Sequence, residues 1–256
     1  MKNLFFESTT TLKFDSPVVN HNFLLRSLPP SYAGQRIISA TLELTPSVPY
    51  TLSCDGFGNF NETGCIKFPH KEFIYSVSGL AQICDNERQK ERLHPIFKHQ
   101  SHYTALNSQM KEFLHSQNLT GCDLDKSLQL AEAVYNHMTY KSGVTCTNTT
   151  AIQAFMGKEG VCQDFSHVFI ALSRYAGIPA RYANGLPLGK GQSHAWIEVY
   201  ADGMWIGIDP TRNRLVGEDY VRFCTGRDFL DCALERGVLF GNANQTQNTI
   251  TQVIEQ

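Results

Sequence analysis

The sequence predicts an α+β protein in which a smaller β-rich part, residues 1–100, precedes a mixed part, residues 101–256. Two observations predict this class. Residues 10–83 contain runs of β-branched and aromatic side chains separated by glycine, proline and aspartate, a pattern typical of strands joined by turns. From about Ala105 the apolar residues recur every three or four positions, which indicates helices. Because further strands follow these helices, an α+β arrangement is favoured.

In the β-rich part, the strongest strand signals lie at 36–44, 49–54 and 72–80. The segment 85–102 is different, because it is polar and contains Pro95 and several histidines. We therefore predict a solvated linker there. Three of its histidines are too irregularly spaced to favour a metal site; they are His94, His99 and His102.

Two apolar patterns predict the first helices of the second part. One runs from about Ala105 to Leu114, and the next covers 124–138. Asp123 is the expected N-cap of the second helix, since an aspartate side chain can accept a hydrogen bond from the first free N–H groups.

A short helix is expected at 151–156, capped by Thr149 or Thr150. After a glycine-containing loop, a third long apolar helix begins near Cys162. Gly177, with Pro179 two residues later, is expected to end it.

The segments 180–187, 193–200 and 204–209 are expected to be strands. Residues 201–203, Ala-Asp-Gly, form a short hairpin turn between the last two. The tail at 246–254 alternates enough to be one more strand.

The composition excludes several classes of protein. With 22 Lys plus Arg against 24 Asp plus Glu, the formal net charge is −2, which gives no reason to expect nucleic acid or an anionic membrane as a partner. We find neither a long apolar run nor a signal-peptide centre, so a cytoplasmic location is expected. Eight cysteines without an export signal are then expected to be reduced, and the absence of a C-x-x-C pair argues against a zinc ribbon.

The most informative cysteine is Cys162, at the predicted start of the third long helix. Free N–H groups and the positive end of the helix dipole favour a thiolate at such a position. A thiolate is the species that attacks a carbonyl carbon. The glycines of the preceding loop, Gly157 and Gly160, would allow a substrate backbone to approach.

His194 and Asp209 complete a candidate catalytic set. His194 opens one predicted strand and Asp209 ends the next, so the intervening turn should place both at the same end of the sheet. The histidine could take the thiol proton and later protonate a leaving group. The carboxylate could accept the other ring N–H, fix the tautomer and stabilise the imidazolium ion.

Four segments carry a family resemblance: GVCQDF, GIPARY, HAWIEV and WIGIDPT, in that order between Gly160 and Thr211. They resemble the transglutaminase-like superfamily, which has a papain-like fold and a Cys-His-Asp triad. The resemblance implies that Cys162 is the nucleophile, His194 the general base and acid, and Asp209 the orienting carboxylate. It implies helices packed on an antiparallel sheet, preceded by a smaller β-rich domain.

The resemblance extends over most of the chain, more weakly outside 140–213. FDSPV, LLRSLPP, GQ and DGFGN, all before residue 60, look like the N-terminal β region of bacterial transglutaminase-like cysteine peptidases. GRDFLDCALERGVLFG, at 226–241, looks like their C-terminal segment.

The chain also departs from its relatives. A papain-type oxyanion glutamine would lie six residues before Cys162, where this chain has Met156, and no tryptophan precedes the cysteine. The second oxyanion donor, beside the Cys162 backbone N–H, therefore has only Gln153 and Tyr140 as candidates. Acidic calcium-binding insertions are not visible, so no metal or other cofactor is expected.

Other residues of this region have simpler roles. Asp164 is expected to interact with the helix N-terminus or to cap a neighbouring loop. Arg181 and Tyr182 are expected to support the fold or line the cleft, and Trp196 to pack beside the triad. Residues 189–191, Gly-Lys-Gly, are expected to form a mobile hairpin loop at the lip of the cleft.

The leading functional hypothesis is a hydrolase, a cysteine peptidase or amidase, that cleaves a peptide or protein amide through a Cys162 thioester. Transfer of the acyl group to an amine, as in a transglutaminase, uses the same triad and is the alternative. A non-catalytic interaction module that keeps the fold is a second alternative. Acyl transfer from a thioester donor such as coenzyme A is a third, although no feature points to a nucleotide pocket. The oligomeric state is not indicated.

Overall fold

The computed structural model describes residues 1–84 and 90–256, and it confirms the predicted α+β class. The strands of the N-terminal part are β1 (Lys2–Leu25), β2 (Gln35–Thr45), β3 (Tyr50–Cys54), β4 (Phe60–Ile66) and β5 (His70–Ile83). The helices are α1 (Ser108–Ser116), α2 (Asp123–His137), α3 (Ala151–Gly157), α4 (Cys162–Tyr175) and α5 (Phe229–Cys232). The remaining strands are β6 (Thr139–Tyr140), β7 (Glu159–Gly160), β8 (Ala180–Pro187), β9 (Gly189–Gly191), β10 (His194–Ala201), β11 (Met204–Asp209), β12 (Arg214–Leu215), β13 (Tyr220–Gly226), β14 (Glu235–Phe240) and β15 (Gln245–Glu255).

The long first strand, β1, organises the N-terminal sheet. Its first half pairs with β5 on one side and β15 on the other, and its second half pairs with β4 and β14. The register shifts between Lys13 and Val18, where the strand passes from one set of partners to the other. Leu4 and Phe6 alternate with more exposed residues, so residues 2–9 form a strand that the sequence analysis did not predict.

The last two strands return to this first sheet. The tail strand predicted at 246–254 is confirmed as β15, which inserts between β1 and β9 in an antiparallel sheet. This sheet therefore contains strands from both sides of the predicted boundary at residue 100. Strands that are far apart in the sequence are neighbours in it.

The expected solvated linker needs one correction, although most of residues 90–102 are exposed. Its first part, 85–89, lies outside the described residues. A short 3₁₀ helix, Pro95–Lys98, then buries Phe97 against Trp205, with ring centroids 5.2 Å apart. One aromatic side chain thus anchors a polar segment to the core.

A five-stranded antiparallel sheet, in the order β12-β11-β10-β8-β13, carries the helices on one face. Ala195, Ile197 and Val199 of β10 face the helical core. Burying a side chain of the size of Ile197 or Val199 stabilises the fold by roughly 1.5–3 kcal/mol. Trp196 and Glu198 are buried as well, so this strand is covered on both faces and does not alternate between core and solvent.

The predicted helices are present, with one change at a terminus. Thr150 caps α3 as expected, because its side chain accepts a hydrogen bond from the Gln153 N–H. The N-cap of α2 is Cys122 and not Asp123, which is the first helical residue. Asp125 supports this end instead, since its carboxylate accepts from the Cys122 N–H at 3.1 Å.

The two sheets pack against each other through apolar side chains. Phe6 of β1 and Phe223 of β13 meet edge to face, with centroids 5.7 Å apart. The cluster between the sheets consists of Leu4, Phe6, Val77, Ala81, Ile83, Leu186, Val221, Phe223 and Val253. This contact holds β15 beside the helical part of the protein. Within the described ranges, none of the helices has both the length and the apolar character needed to cross a membrane.

Candidate active site

Cys162 is the first residue of α4, where the sequence analysis expected it. The residue before it, Val161, has an extended backbone, and its N–H donates to the Asp164 carboxylate at 2.8 Å. The N–H groups of the first turn have no acceptor inside the helix. The partly exposed thiol therefore lies at the positive end of a 14-residue helix, which favours negative charge.

Asp164 has the structural role that was expected of it. The side chain is 1% exposed, and it also accepts a hydrogen bond from Thr145 Oγ1 at 2.7 Å. Burial raises the pKa of this carboxyl group, against the hydrogen bonds from Val161 and Thr145. Asp164 thus joins the loop before α3 to the start of α4.

His194 begins β10 and interacts with both partners proposed for it. Its Nε2 lies 2.7 Å from Asp209 Oδ2, which leaves Nδ1 for the Cys162 thiol. Burial alone would lower the pKa of His194, but the hydrogen bonds with Asp209 and then Cys162 outweigh it and raise the pKa to about 9. The imidazolium form is therefore stabilised, as a general acid requires.

Asp209 ends β11 and is fully buried. Its Oδ1 accepts from the Thr211 hydroxyl at 2.6 Å and from the Thr211 N–H at 3.0 Å. Its Oδ2 accepts from the Tyr220 hydroxyl at 2.8 Å, in addition to facing His194. Burial acts to raise the pKa of Asp209, yet these hydrogen bonds prevail and lower it.

Tyr220 is a site residue that the sequence analysis missed. It donates to Asp209 and accepts from Arg212 Nη1 at 2.9 Å and Arg214 Nη2 at 3.0 Å. Burial raises its pKa, so the hydroxyl keeps its proton and remains a donor. Tyr220 is the first residue of β13, and the sequence analysis did not predict this strand. Recognising the strand would have been the way to find Tyr220 from sequence.

A cavity of about 490 Å³ lies over the thiol and the imidazole. Its lining includes Cys162, His194, Tyr140, Leu188, Lys190 and Arg212. The Gly-Lys-Gly segment forms part of the lip, as predicted, but it is a paired strand and not a free loop. Gly191 pairs with Thr251, and Gly189 pairs with Val253.

The structure separates the two candidates for the second oxyanion donor. Tyr140 lines the cavity, and burial followed by the Cys162 charge raises its pKa, so its hydroxyl can donate. Gln153 lies at the start of α3, where its Oε1 accepts from the Thr150 N–H at 2.9 Å, and it is not among the residues that line the cavity.

Trp196 packs edge to face on Tyr220 at 5.2 Å, as expected of a residue beside the triad. Behind it, Glu198 lies between two arginines, 2.6 Å from Arg181 Nε and 2.9 Å from Arg222 Nη1. Burial acts to raise the pKa of Glu198, but the arginines lower it to about 2. Arg181 thus supports the fold, which is one of the two roles expected for it. The sequence analysis did not identify Glu198 or Arg222 as residues of this region.

All eight cysteines are free thiols in the structure, with Cys224 and Cys232 buried. Among residues 1–84 and 90–256, no group of three or more His, Cys, Asp or Glu side chains is arranged to hold a metal ion. Two of the histidines considered for a metal site have local contacts instead. His94 Nδ1 accepts a hydrogen bond from the Ile96 N–H at 3.2 Å, and the His102 ring packs on Tyr103.

Comparison with known proteins adds family and fold. A model of the transglutaminase-like superfamily matches residues 115–210, and a model of the bacterial transglutaminase-like N-terminal region matches residues 6–82. Uncharacterised proteins of Mycobacterium tuberculosis and Mycobacterium bovis are 34% identical over 133 residues, which is 46% of this chain and 42% of theirs. The chain thus spans less than half the length of these relatives.

Two other similar proteins match over nearly the whole chain. An uncharacterised protein of Mycobacterium leprae is 25% identical over 271 residues, 96% of each chain. A crystal structure from Cytophaga hutchinsonii, described as a "putative cysteine protease", has a TM-score of 0.79 and 25% identity, covering 99% of this chain and 90% of that one. The two family models cover the N-terminal sheet and the segment with Cys162, His194 and Asp209, so the chain has a transglutaminase-like core preceded by a bacterial transglutaminase-like N-terminal region.

Proposed function

We propose that the protein is a thiol hydrolase, a cysteine peptidase or amidase, that cleaves an amide bond of a peptide or protein through a thioester on Cys162. In this proposal Cys162 is the nucleophile, His194 the general base and acid, and Asp209 the residue that orients the histidine. The observation that carries the proposal is the 2.7 Å contact between His194 Nε2 and Asp209 Oδ2, beside a thiol at a helix start.

Each step follows from this geometry. The thiolate attacks the amide carbon, and the Cys162 backbone N–H and the Tyr140 hydroxyl are the donors offered to the resulting oxyanion. The His194 imidazolium then protonates the amine, which leaves as the thioester forms. Neutral His194 next takes a proton from water as the hydroxide attacks the thioester. The Cys162 thiolate then leaves, which releases the carboxylic acid and restores the thiolate and imidazolium of the first step.

Hydrolysis is favoured over transfer to an amine by one comparison. The Cytophaga hutchinsonii structure resembles this chain over both the N-terminal sheet and the core, and it is described as a protease. Transfer to an amine uses the same triad, so it is the second candidate function. A location in the cytoplasm and a peptide or protein substrate remain proposals.

The test is a library of peptide amides assayed for cleavage, ammonia release and incorporation of a fluorescent amine. We expect Cys162→Ala to abolish whichever activity the wild type shows, and Cys54→Ala, which removes an exposed thiol of β3, to retain it. Activity that survives in Cys162→Ala would contradict the mechanism. Amine incorporation without cleavage would assign the transferase function instead.

A further inference from the structure

A second cavity, of about 210 Å³, lies between the N-terminal sheet and the helical part, next to the cleft. Its apolar wall is formed by Val77, Phe223, Phe229 and Leu234. Ser193, directly before His194, lines both this cavity and the cleft over Cys162. A substrate with its amide at Cys162 can therefore extend past Ser193 into the second cavity.

Asn184, one of the residues that line the cavity, has a buried acceptor without a donor. Asn184 is 6% exposed, and its Nδ2 donates to the Cys232 carbonyl at 3.2 Å. Its Oδ1 is buried and has no hydrogen-bond partner. A buried carbonyl oxygen of this kind is costly when unpaired, and an N–H group of a ligand would satisfy it.

The cavity also has an acidic side chain whose charge is not balanced. Glu235, the first residue of β14, lines the cavity, and in the described part of the chain no hydrogen bond or ion pair reaches its carboxylate. Burial raises the pKa of this group, and no neighbouring cation opposes that effect. A bound cation would supply the missing partner.

The other charged residue of the lining is already paired. Arg26 Nε lies 3.9 Å from Asp55 Oδ2, an ion pair without a hydrogen bond at Nε, and Nη1 donates to the Ala233 carbonyl at 2.9 Å. The positive charge of Arg26 is thus balanced from outside the cavity, whereas the negative charge of Glu235 is not.

We propose that this cavity is a specificity pocket for a basic side chain of the substrate, with Glu235 binding the ammonium or guanidinium group beside Asn184. A volume of about 210 Å³ corresponds to roughly seven waters at about 30 Å³ each, enough for a long side chain. The aliphatic stem of lysine or arginine would pack on Phe223 and Val77, as such stems do on apolar surfaces. This proposal rests on the proposed function.

The test compares blocked peptides that carry lysine at one position with the same peptides carrying norleucine, which removes the charge but keeps the stem. At one or more positions in the peptide, we expect kcat/KM for the lysine peptide to exceed that for the norleucine peptide by about tenfold or more. In Glu235→Gln the ratio of the two kcat/KM values, lysine over norleucine, should fall to near one. Glu43→Gln, a change of the same type on the exposed face of β2, should retain the preference.

A second measurement does not require turnover. The same peptides are tested for protection of Cys162 against iodoacetamide, with the modified residue located by mass spectrometry. We expect stronger protection by the lysine peptide in the wild type and equal protection in Glu235→Gln. A lysine preference that is absent from the wild type, or retained in Glu235→Gln, would overturn the pocket assignment. Protection with this pattern but no amide cleavage would support the pocket and contradict the proposed hydrolase.

Discussion

Asp209→Asn tests the central electrostatic claim. The pKa of His194, raised from 6.5 to about 9, corresponds to roughly 3 kcal/mol in favour of the protonated ring. The hydrogen bond to Asp209 is the largest of the interactions that raise it. An asparagine has almost the same shape but no charge, so we expect the pKa of His194 to fall by about 1 to 3 pH units. Less imidazolium then means less thiolate on Cys162.

The assay is the rate of Cys162 alkylation by iodoacetamide between pH 5 and pH 9, because it requires no substrate. At pH 8 a ring with a pKa of about 9 is still about 90% protonated, whereas a ring with a pKa lower by 1 to 3 units is about 50% protonated or less. We therefore expect the variant to react about twofold more slowly or worse at pH 8, with the His194 pKa followed by NMR. Asp231→Asn is the matched control, since Asp231 also pairs with an arginine, Arg227 at 2.8 Å, but outside the Tyr220 network. An Asp209→Asn variant that keeps both the wild-type rate at pH 8 and the wild-type His194 pKa would refute this account.

Three further predictions concern stability. Glu198→Gln leaves two buried arginines without their carboxylate, so the free energy of unfolding, measured in urea at pH 7, should fall by roughly 3–5 kcal/mol. Glu159→Gln, on the exposed pair with Lys141, should cost less than about 1 kcal/mol, and equal losses would contradict the argument. Burial lowers the pKa of His167 to about 3, so the unfolded state binds the extra proton below pH 6.5. Stability should therefore decline from pH 6.5 towards pH 4, and the decline should be smaller in His167→Gln; identical curves would exclude this cause. Asp164→Ala removes the acceptor of the Thr145 hydroxyl, so hydrogen exchange of residues 142–147 should accelerate, and unchanged exchange would show that the loop is held otherwise.

The three residues of the proposed triad could be placed from sequence because each marks the end of an element. Cys162 follows a glycine loop and begins an apolar helix, while His194 and Asp209 bracket a hairpin with a short turn. Local periodicity and turn chemistry determine such positions, so one sequence is sufficient to predict them.

The supporting residues could not be found this way, because their signals depend on tertiary partners. Arg222 lies inside β13, where it is buried, paired with Glu198 and stacked over the Tyr32 ring. By its residue type alone it indicates an exposed position. Tyr220 gains its role from a carboxylate eleven positions away, across the sheet. The same reason applies to the segment around Phe97. Its sequence is polar, and Phe97 is buried through contact with Trp205, which is distant in the chain.

The pairing of β1 with β15 has a consequence for synthesis. Lys2 and Glu255 are 253 positions apart and form an ion pair at 2.7 Å, so the partner strand of β1 leaves the ribosome long after β1 itself. Until then the emerging chain presents an open strand edge, the kind of surface that favours aggregation. The strand at the lip of the cleft, β9, also lacks its partner until β15 has been synthesised. The nascent protein can therefore bring the Cys162 thiol and the His194 imidazole together before the lip of the cleft is complete.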